Sequence, residues 1–363
     1  MALDPAPLLF PGAASTLPTQ RLEVGVNHMG FVRCAGWVVT AWALLAPGLS
    51  EAQAPSFFRI GTGSAGGTYY PIGGILANAI SCPPGAPCRE PGATAGVPGL
   101  IAVAQATQGS VQNVNLIQSG NAESGFSQSD VAHWAFTGTG LFENRPKTDR
   151  IRFMAHLFPE HIHAVVRRDS TVQRLQDLRG RRIAIGLQAS GARIGSELIL
   201  EAAGMRGAFT PEYINQQQGT ERMQDRGIDA TLTVVGYPAA AFSEFCSRTG
   251  CRILSFSPPE MDAVIAKAPF YGRGVIPRTA YEGLEADVPT LTVGAVWLVS
   301  AAVSETTVYE ITKALWSDVS RGLLDRGHAK GREIVRDNAL QGRGEVPFHP
   351  GAERFYREAN LLR

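Results

Sequence analysis

Apolar positions in this chain alternate between short continuous runs and stripes of helical spacing, from about residue 57 onward. Phe57–Ile60 is a short apolar run and predicts a buried strand. Gly61, Gly63, Gly66 and Gly67 then mark a turn. Tyr70–Ile80 predicts a helix through Ile72, Ile75, Leu76, Ala79 and Ile80. Thr68 stands where a helix cap belongs, and Pro71 fits the first turn, where its missing N–H costs no bond. The pattern returns as a strand over Arg182–Gly186, a turn at Gln188–Gly191, and a helix to Ala203 with Ile194, Leu198, Ile199 and Ala202 on one face. Gly204 is a natural stop. A third such turn, Gly236–Pro238, joins a strand over Asp229–Val235 to a helix over Ala239–Phe245.

The remaining segments read as follows. Ser110–Ile117 suits a strand and a helix entry. Gly125–Asp130 ends a short strand and Val131–Phe136 starts a helix, which puts Ser129 and Asp130 where open α/β sheets bind ligands. Ile151–Val166 holds two extended runs broken at Pro159-Glu160. Leu175–Leu178 and Thr220–Arg226 are short helices, Tyr213–Ile214 and Ile253–Ser255 short strands. Pro269–Ile276 and Val288–Ser300 are extended. Ser304–Leu324 reads as one long helix and Ala352–Leu362 as a final amphipathic one. Alternating strands and helices imply an α/β protein with mostly parallel sheets, and the repeated strand–turn–helix opening implies two lobes.

A chain of 363 residues can build two sizeable cores. Lys and Arg number 33 against 32 Asp and Glu, a balance without the basic excess of a nucleic-acid binder. Residues 29–54 have the form of a cleaved export signal. A basic start at Met29–Arg33 precedes an apolar stretch, Cys34–Ala46, and small residues at Ala52-Gln53-Ala54. The apolar stretch is short for a membrane anchor, which needs about 20 residues. Residues 1–28 read as an untranslated or disordered leader, and a periplasmic location is expected. Four cysteines follow the signal in two close pairs, Cys82 with Cys88 and Cys246 with Cys251. In an oxidising compartment these predict two short-loop disulfides; a four-thiolate zinc site is the alternative.

A glycine turn between a strand and a helix points backbone N–H groups at one spot, at the positive end of the helix dipole, and so predicts an anion site. Gly61–Gly66 also matches G-x-G-x-x-G, the dinucleotide fingerprint, which leaves a dinucleotide-dependent enzyme as the alternative function. That fingerprint expects an acidic residue at the end of the next strand, and Glu90 lies instead in a Pro-rich loop. There is no Walker A sequence and no G-x-S-x-G elbow. His161 and His163 would share one face of a strand and read as packed rather than metal-binding. Glu160 stands out because Pro159 fixes the bend before it, but it is one carboxylate without a catalytic partner in sequence. Binding is favoured over catalysis, with no cofactor and no metal.

The segments GTGSAGGTYYPIGGILANAI, GFSQSDVAHWAF, DATLTVVGYPAAA and PFYGRGVIPRTAYEG resemble, in this order, the TAXI family. These are the extracytoplasmic solute receptors of tripartite ATP-independent periplasmic (TRAP) transporters. The resemblance runs from about Phe57 to the end. It implies a two-lobed periplasmic-binding-protein fold, type II-like, with a hinge of crossing strands. Lobe 1 would comprise residues 55–162 and 296–363, and lobe 2 residues 163–295. It also implies a small organic anion, glutamate-like or another carboxylate, enclosed between the lobes of a monomer and passed to the membrane subunits of a TRAP transporter. By position, Gly63, Ser64, Gly66, Gly67, Thr68 and Tyr69 form the first ligand loop. Gln128, Ser129 and Asp130 stand beside it; Gly236, Tyr237 and Pro238 form the turn of the second lobe. Where many members have G-S-G-T, this chain has Ala189-Ser190-Gly191-Ala192. Ser190 and Gly191 keep that turn, the Thr hydroxyl is absent at Ala192, and Arg193 stands next to it as a compensating charge.

Overall fold

A computed structural model describes residues 55–88, 96–145 and 147–363. The expected leader and export signal, residues 1–54, and Glu90 lie outside the described residues. Among the described residues no helix is long and apolar enough to cross a membrane.

The first half of the chain forms β1 (Ser56–Gly61), α1 (Tyr69–Ile80), the short β2 (Ser81–Cys82) and β3 (Val97–Pro98), β4 (Leu100–Gln105), α2 (Ser110–Ser119), β5 (Ser124–Gln128), α3 (Ser129–Thr137) and the long β6 (Ile151–Arg167). There follow β7 (Arg182–Ala184), α4 (Gly191–Ala202), β8 (Thr210–Glu212), α5 (Gln216–Gln224), β9 (Ala230–Val235), α6 (Ala240–Thr249), β10 (Cys251–Ile253), α7 (Pro258–Lys267) and β11 (Gly272–Ile276). The second long strand, β12 (Val288–Ser300), leads to α8 (Glu305–Leu315), α9 (Asp318–Gly327) and α10 (Pro350–Glu358).

One sheet runs in the order β4-β1-β5-β12-β6-β9-β7-β8, with β10 added on β6 and β11 on β12. β4-β1-β5 and β9-β7-β8 are parallel wings. Every pairing of β6 and β12 is antiparallel, so the sheet is mixed rather than mostly parallel. β12 pairs with β5 through its second half and with β11 through its first, and β6 pairs with β9 through its second half. Each long strand therefore belongs to both wings. Two parallel α/β wings joined by two crossing strands are the two-lobed fold of periplasmic binding proteins. The first wing packs Phe58, Ile60, Ile72, Leu76, Phe126 and Trp297 into one core, and the second packs Ile183, Ile199, Leu232 and Val234 into another.

Several local expectations are corrected. Pro159-Glu160 does not break the strand: β6 passes through it. Pro159 faces Gly294 in register, with a register shift just beyond, between Ala295 and Val296. Ser110–Ile117 is wholly helical, because Val111, Val114 and Ile117 bury one helical stripe. The long helix at Ser304–Leu324 is two helices, since Ser317 starts a new one by accepting the Ser320 N–H at 3.2 Å. α7 was not expected, although Ser257 and Glu260 form a capping box with prolines between them.

Both cysteine pairs are bonded, Cys82 to Cys88 and Cys246 to Cys251, which removes the four-thiolate alternative. The second bridge ties the end of α6 to β10. Replacing Cys246 and Cys251 together by Ala is expected to lower the unfolding free energy by about 2 kcal/mol, the value for a short closed loop, read by urea titration. An unchanged midpoint would show that the bridge pins only a local turn.

Candidate ligand-binding site

Strand ends and helix starts meet at one place. The residues that precede α1, α2, α3, α4 and α5 are Thr68, Gly109, Gln128, Ser190 and Asn215. All of them line a single cavity of about 50 Å³ between the wings. The first N–H groups of a helix have no partner within it and carry the positive end of its dipole, which favours an anion at such a point. Among the described residues no Arg, Lys or His lines it.

Of the residues expected from sequence, Gly63, Ser64, Gly67, Thr68, Tyr69, Gln128, Ser190 and Gly191 line this cavity. Thr68 does not cap α1. Its hydroxyl instead donates to the Gly236 carbonyl at 2.7 Å, joining the first wing to the second. Gly66 accepts the Ala241 N–H at 3.2 Å outside the lining. Ser129 lines a different groove, beside His156. Asp130 is fully buried in the first turn of α3, where Oδ1 accepts its neighbour Val131's N–H at 2.7 Å. The Tyr271 hydroxyl faces the other oxygen, though without the geometry of a formed hydrogen bond. Arg193 lies along the flank of α4, its guanidinium held by Glu197 at 2.9 and 3.0 Å and by the Gln188 carbonyl at 2.9 Å. Its backbone N–H is what the site uses, donating to Ser190 Oγ at 3.0 Å. Gly236, Tyr237 and Pro238 stand outside the lining. The Tyr237 ring packs on His161 and under the Lys330 ammonium, 3.8 Å from the ring centre. Tyr70, in the first turn of α1, is exposed.

The wings are in close contact. Ser64 Oγ donates to Gln216 Oε1 at 3.0 Å, and the Ala189 N–H to Gln108 Oε1 at 3.0 Å. The Gln112 N–H reaches the Ala189 carbonyl at 3.0 Å. Gly191 permits this approach, because a Cβ there would fall 2.6 Å from Ser110 Oγ and 2.7 Å from the Gln128 amide. Gly186 turns the chain into the Ser190 loop at φ +100°, which glycine alone adopts freely.

One carboxylate, Glu160, faces the cavity from the middle of β6. It accepts the Tyr69 hydroxyl at 2.7 Å. Burial pushes its carboxyl up to about 8, and the nearby Asp130 adds to the rise. Burial likewise raises Asp130 to about 6. Lys330, fully buried, is paired with Glu333 at 2.8 and 3.0 Å, and burial lowers its ammonium. His156 and His163 are pushed down to about 4 by burial, which keeps them neutral. His163 stacks on Phe242 and bonds the Tyr281 hydroxyl at 3.0 Å, as a packed histidine does. Among the described residues no group of three His, Cys, Asp or Glu is placed to hold a metal.

Sequence reasoning noticed Glu160 beside Pro159 without assigning it to the site. Gln108, Gly109 and Ser110 were missed because Ser110–Ile117 was read partly as strand. Asn215 and Gln216 carry a capping signal, Asn215 with Gln218, that marks a helix start at the cavity. The dinucleotide alternative fails on geometry. β4 is the next parallel strand beside β1, and it ends at Gln105, so no carboxylate stands where a ribose would be held. A cavity of about 50 Å³ also has no room for a nucleotide.

Solved structures similar to this chain include the alkanesulfonate-binding protein SsuA of Xanthomonas axonopodis pv. citri bound to MOPS. It is 16% identical, over 84% of this chain and 85% of that one, with a TM-score of 0.45. A putative L-cystine ABC transporter protein of Listeria monocytogenes is 12% identical over 78% and 98%, with a TM-score of 0.43. The periplasmic aliphatic sulphonate-binding protein SsuA of Escherichia coli is 15% identical over 74% and 78%, with a TM-score of 0.38. The sequence itself matches the NMT1-like family over residues 60–359. The chain thus belongs to the NMT1-like family.

Proposed function

We propose that this protein is an extracytoplasmic solute receptor that encloses a small organic anion, a carboxylate, between its lobes and delivers it to a TRAP-type secondary transporter. The observation that carries the anion class is the convergence of helix starts at Thr68, Gly109, Gln128, Ser190 and Asn215 on one small cavity. Helix starts suit a carboxylate through the positive ends of their dipoles, and the cavity's size suits a small one. The TRAP assignment is supported by the order and length of the motifs shared with the TAXI family, from Gly61 to Gly283. The export-like segment at residues 29–54 supports delivery from the periplasmic side.

In this reading lobe 1 is residues 55–162 with 296–363 and lobe 2 is residues 163–295, with the crossings in β6 and β12 as the hinge. A ligand touching both lobes binds the closed state better and shifts the population toward it. A thermal-shift screen tests this. A bound carboxylate at roughly 100 times its Kd is expected to raise the Tm by about 5 °C, and NAD to leave it unchanged. Stabilisation by NAD and by no carboxylate would overturn the reading.

A further inference from the structure

We propose that Glu160 sets the charge the site accepts: when the cavity closes on a carboxylate ligand, Glu160 takes a proton from solvent and faces the ligand as a neutral acid. This rests on the carboxylate reading above. Glu160 is 3% exposed and lines the cavity from β6. One of its oxygens accepts the Tyr69 hydroxyl, and the other receives no hydrogen bond from the described residues. That second oxygen is the group left for a ligand.

The charges around Glu160 compensate an anion only weakly. From α1 it meets Tyr69, whose hydroxyl donates to it. From α3 it meets Asp130, a second buried carboxyl group with one oxygen unpartnered among the described residues. Tyr271, in the turn before β11, contributes a hydroxyl to the same buried region. From the segment after α9 comes Lys330, whose ammonium favours the ionised carboxyl but is bonded to Glu333 and packed on the Tyr237 ring. His161, next along β6, is held neutral by burial. β12 offers only the Thr292 hydroxyl, which binds the Glu160 backbone carbonyl at 2.7 Å. A ligand carboxylate would therefore be a third negative charge in a dry cavity without a free cation. A proton on Glu160 removes that repulsion and turns an acceptor into a donor aimed at the ligand. Burial has already moved the carboxyl toward this state, up to about 8.

The sign follows by linkage. In an open form Glu160 is wetted and its carboxyl lies near the ordinary value; in the closed form it lies higher. Closure on the ligand takes up a proton, so affinity falls as pH rises between the ordinary glutamate value and about 8.

The test uses calorimetry on the exported protein with short mono- and dicarboxylates, each with and without an α-amino group. For the tightest binder lacking the amino group, about one proton per ligand should be taken up at pH 7, measured in two buffers of different ionisation enthalpy. Kd should weaken by up to about tenfold per pH unit toward pH 8. Glu160→Gln, a permanently neutral amide, should lose the pH slope and bind on the order of a thousandfold tighter than wild type at pH 8, the tenfold per unit accumulated from the ordinary glutamate value. Should that variant fail to fold, Tyr69→Phe removes a donor that favours the ionised form and should move the window to higher pH. Binding without proton uptake overturns this proposal and leaves the receptor reading intact. So does a wild type that takes only the amino-bearing compounds and loses them on Glu160→Gln, because Glu160 then works ionised against an ammonium. Binding of no carboxylate at all overturns the receptor reading and this proposal together.

Discussion

Gly191→Ala is expected to weaken ligand binding by roughly 5- to 150-fold while leaving the unliganded protein folded. The added methyl would fall 2.6 Å from Ser110 Oγ and 2.7 Å from Cδ and Oε1 of Gln128. Neither neighbour can easily move away. Ser110 Oγ accepts the Gln128 N–H at 3.0 Å, and both side chains are buried. Overpacking of this kind costs about 1–3 kcal/mol. The cost falls on the closed approach of α4 to α2 and α3, since Gly191 meets Ser110 and Gln128 only there. It therefore appears as lost affinity rather than lost fold. Calorimetry with the ligand found by thermal screening reads the effect, and circular dichroism checks the fold. Unchanged affinity would mean that the ligand is bound without this contact.

Trp297→Ala is expected to destabilise the protein by about 3–5 kcal/mol, as truncation of a large core aromatic does. Trp297 is fully buried in β12, between Phe126 of β5 and Ala155 of β6. Its ring meets Phe126 edge-on with centroids 5.8 Å apart, and Phe126 in turn meets Tyr69 at 5.6 Å. This row of rings leads from the crossing strands to the hydroxyl that holds Glu160, so the cavity left behind loosens both the core and the site. Trp297→Phe is the control. The indole N–H has no partner, so removing it leaves no acceptor unpaired, and the smaller cost should track lost volume alone. Urea denaturation measures both. Equal midpoints for wild type and Trp297→Ala would overturn the account.

Much of the architecture was legible because it rests on local chemistry. The run at Phe57–Ile60 became β1, and the stripe through Ile72, Leu76 and Ile80 became the buried face of α1. Both cysteine pairs are close enough in sequence that a disulfide only has to close a short loop. Errors arose where a distant partner overruled local preference. Pro159 reads as a break until β12, with Gly294 opposite it, is seen to pair along β6 on both sides of it. Arg193 reads as a ligand cation until Glu197, one helical turn away, is seen to hold it.

The sequence by itself determined the α/β alternation, the glycine turns, the paired cysteines and the absence of a basic surface, because spacing and composition act over a few residues. It also determined that Thr68 and Ser190 would stand at helix starts. Only the tertiary structure decided that those starts face one another. Helices α1 to α5 converge because β6 and β12 run through both wings and bring the ends of their strands to one cleft, a geometry made of contacts far apart in sequence. The same packing gave Thr68 the Gly236 carbonyl instead of its own helix, and brought Glu160 to face the cavity beside Tyr69. The glycine loop predicts an anion site from sequence alone; the buried carboxyl groups of Glu160 and Asp130 are brought near it by another strand and another helix.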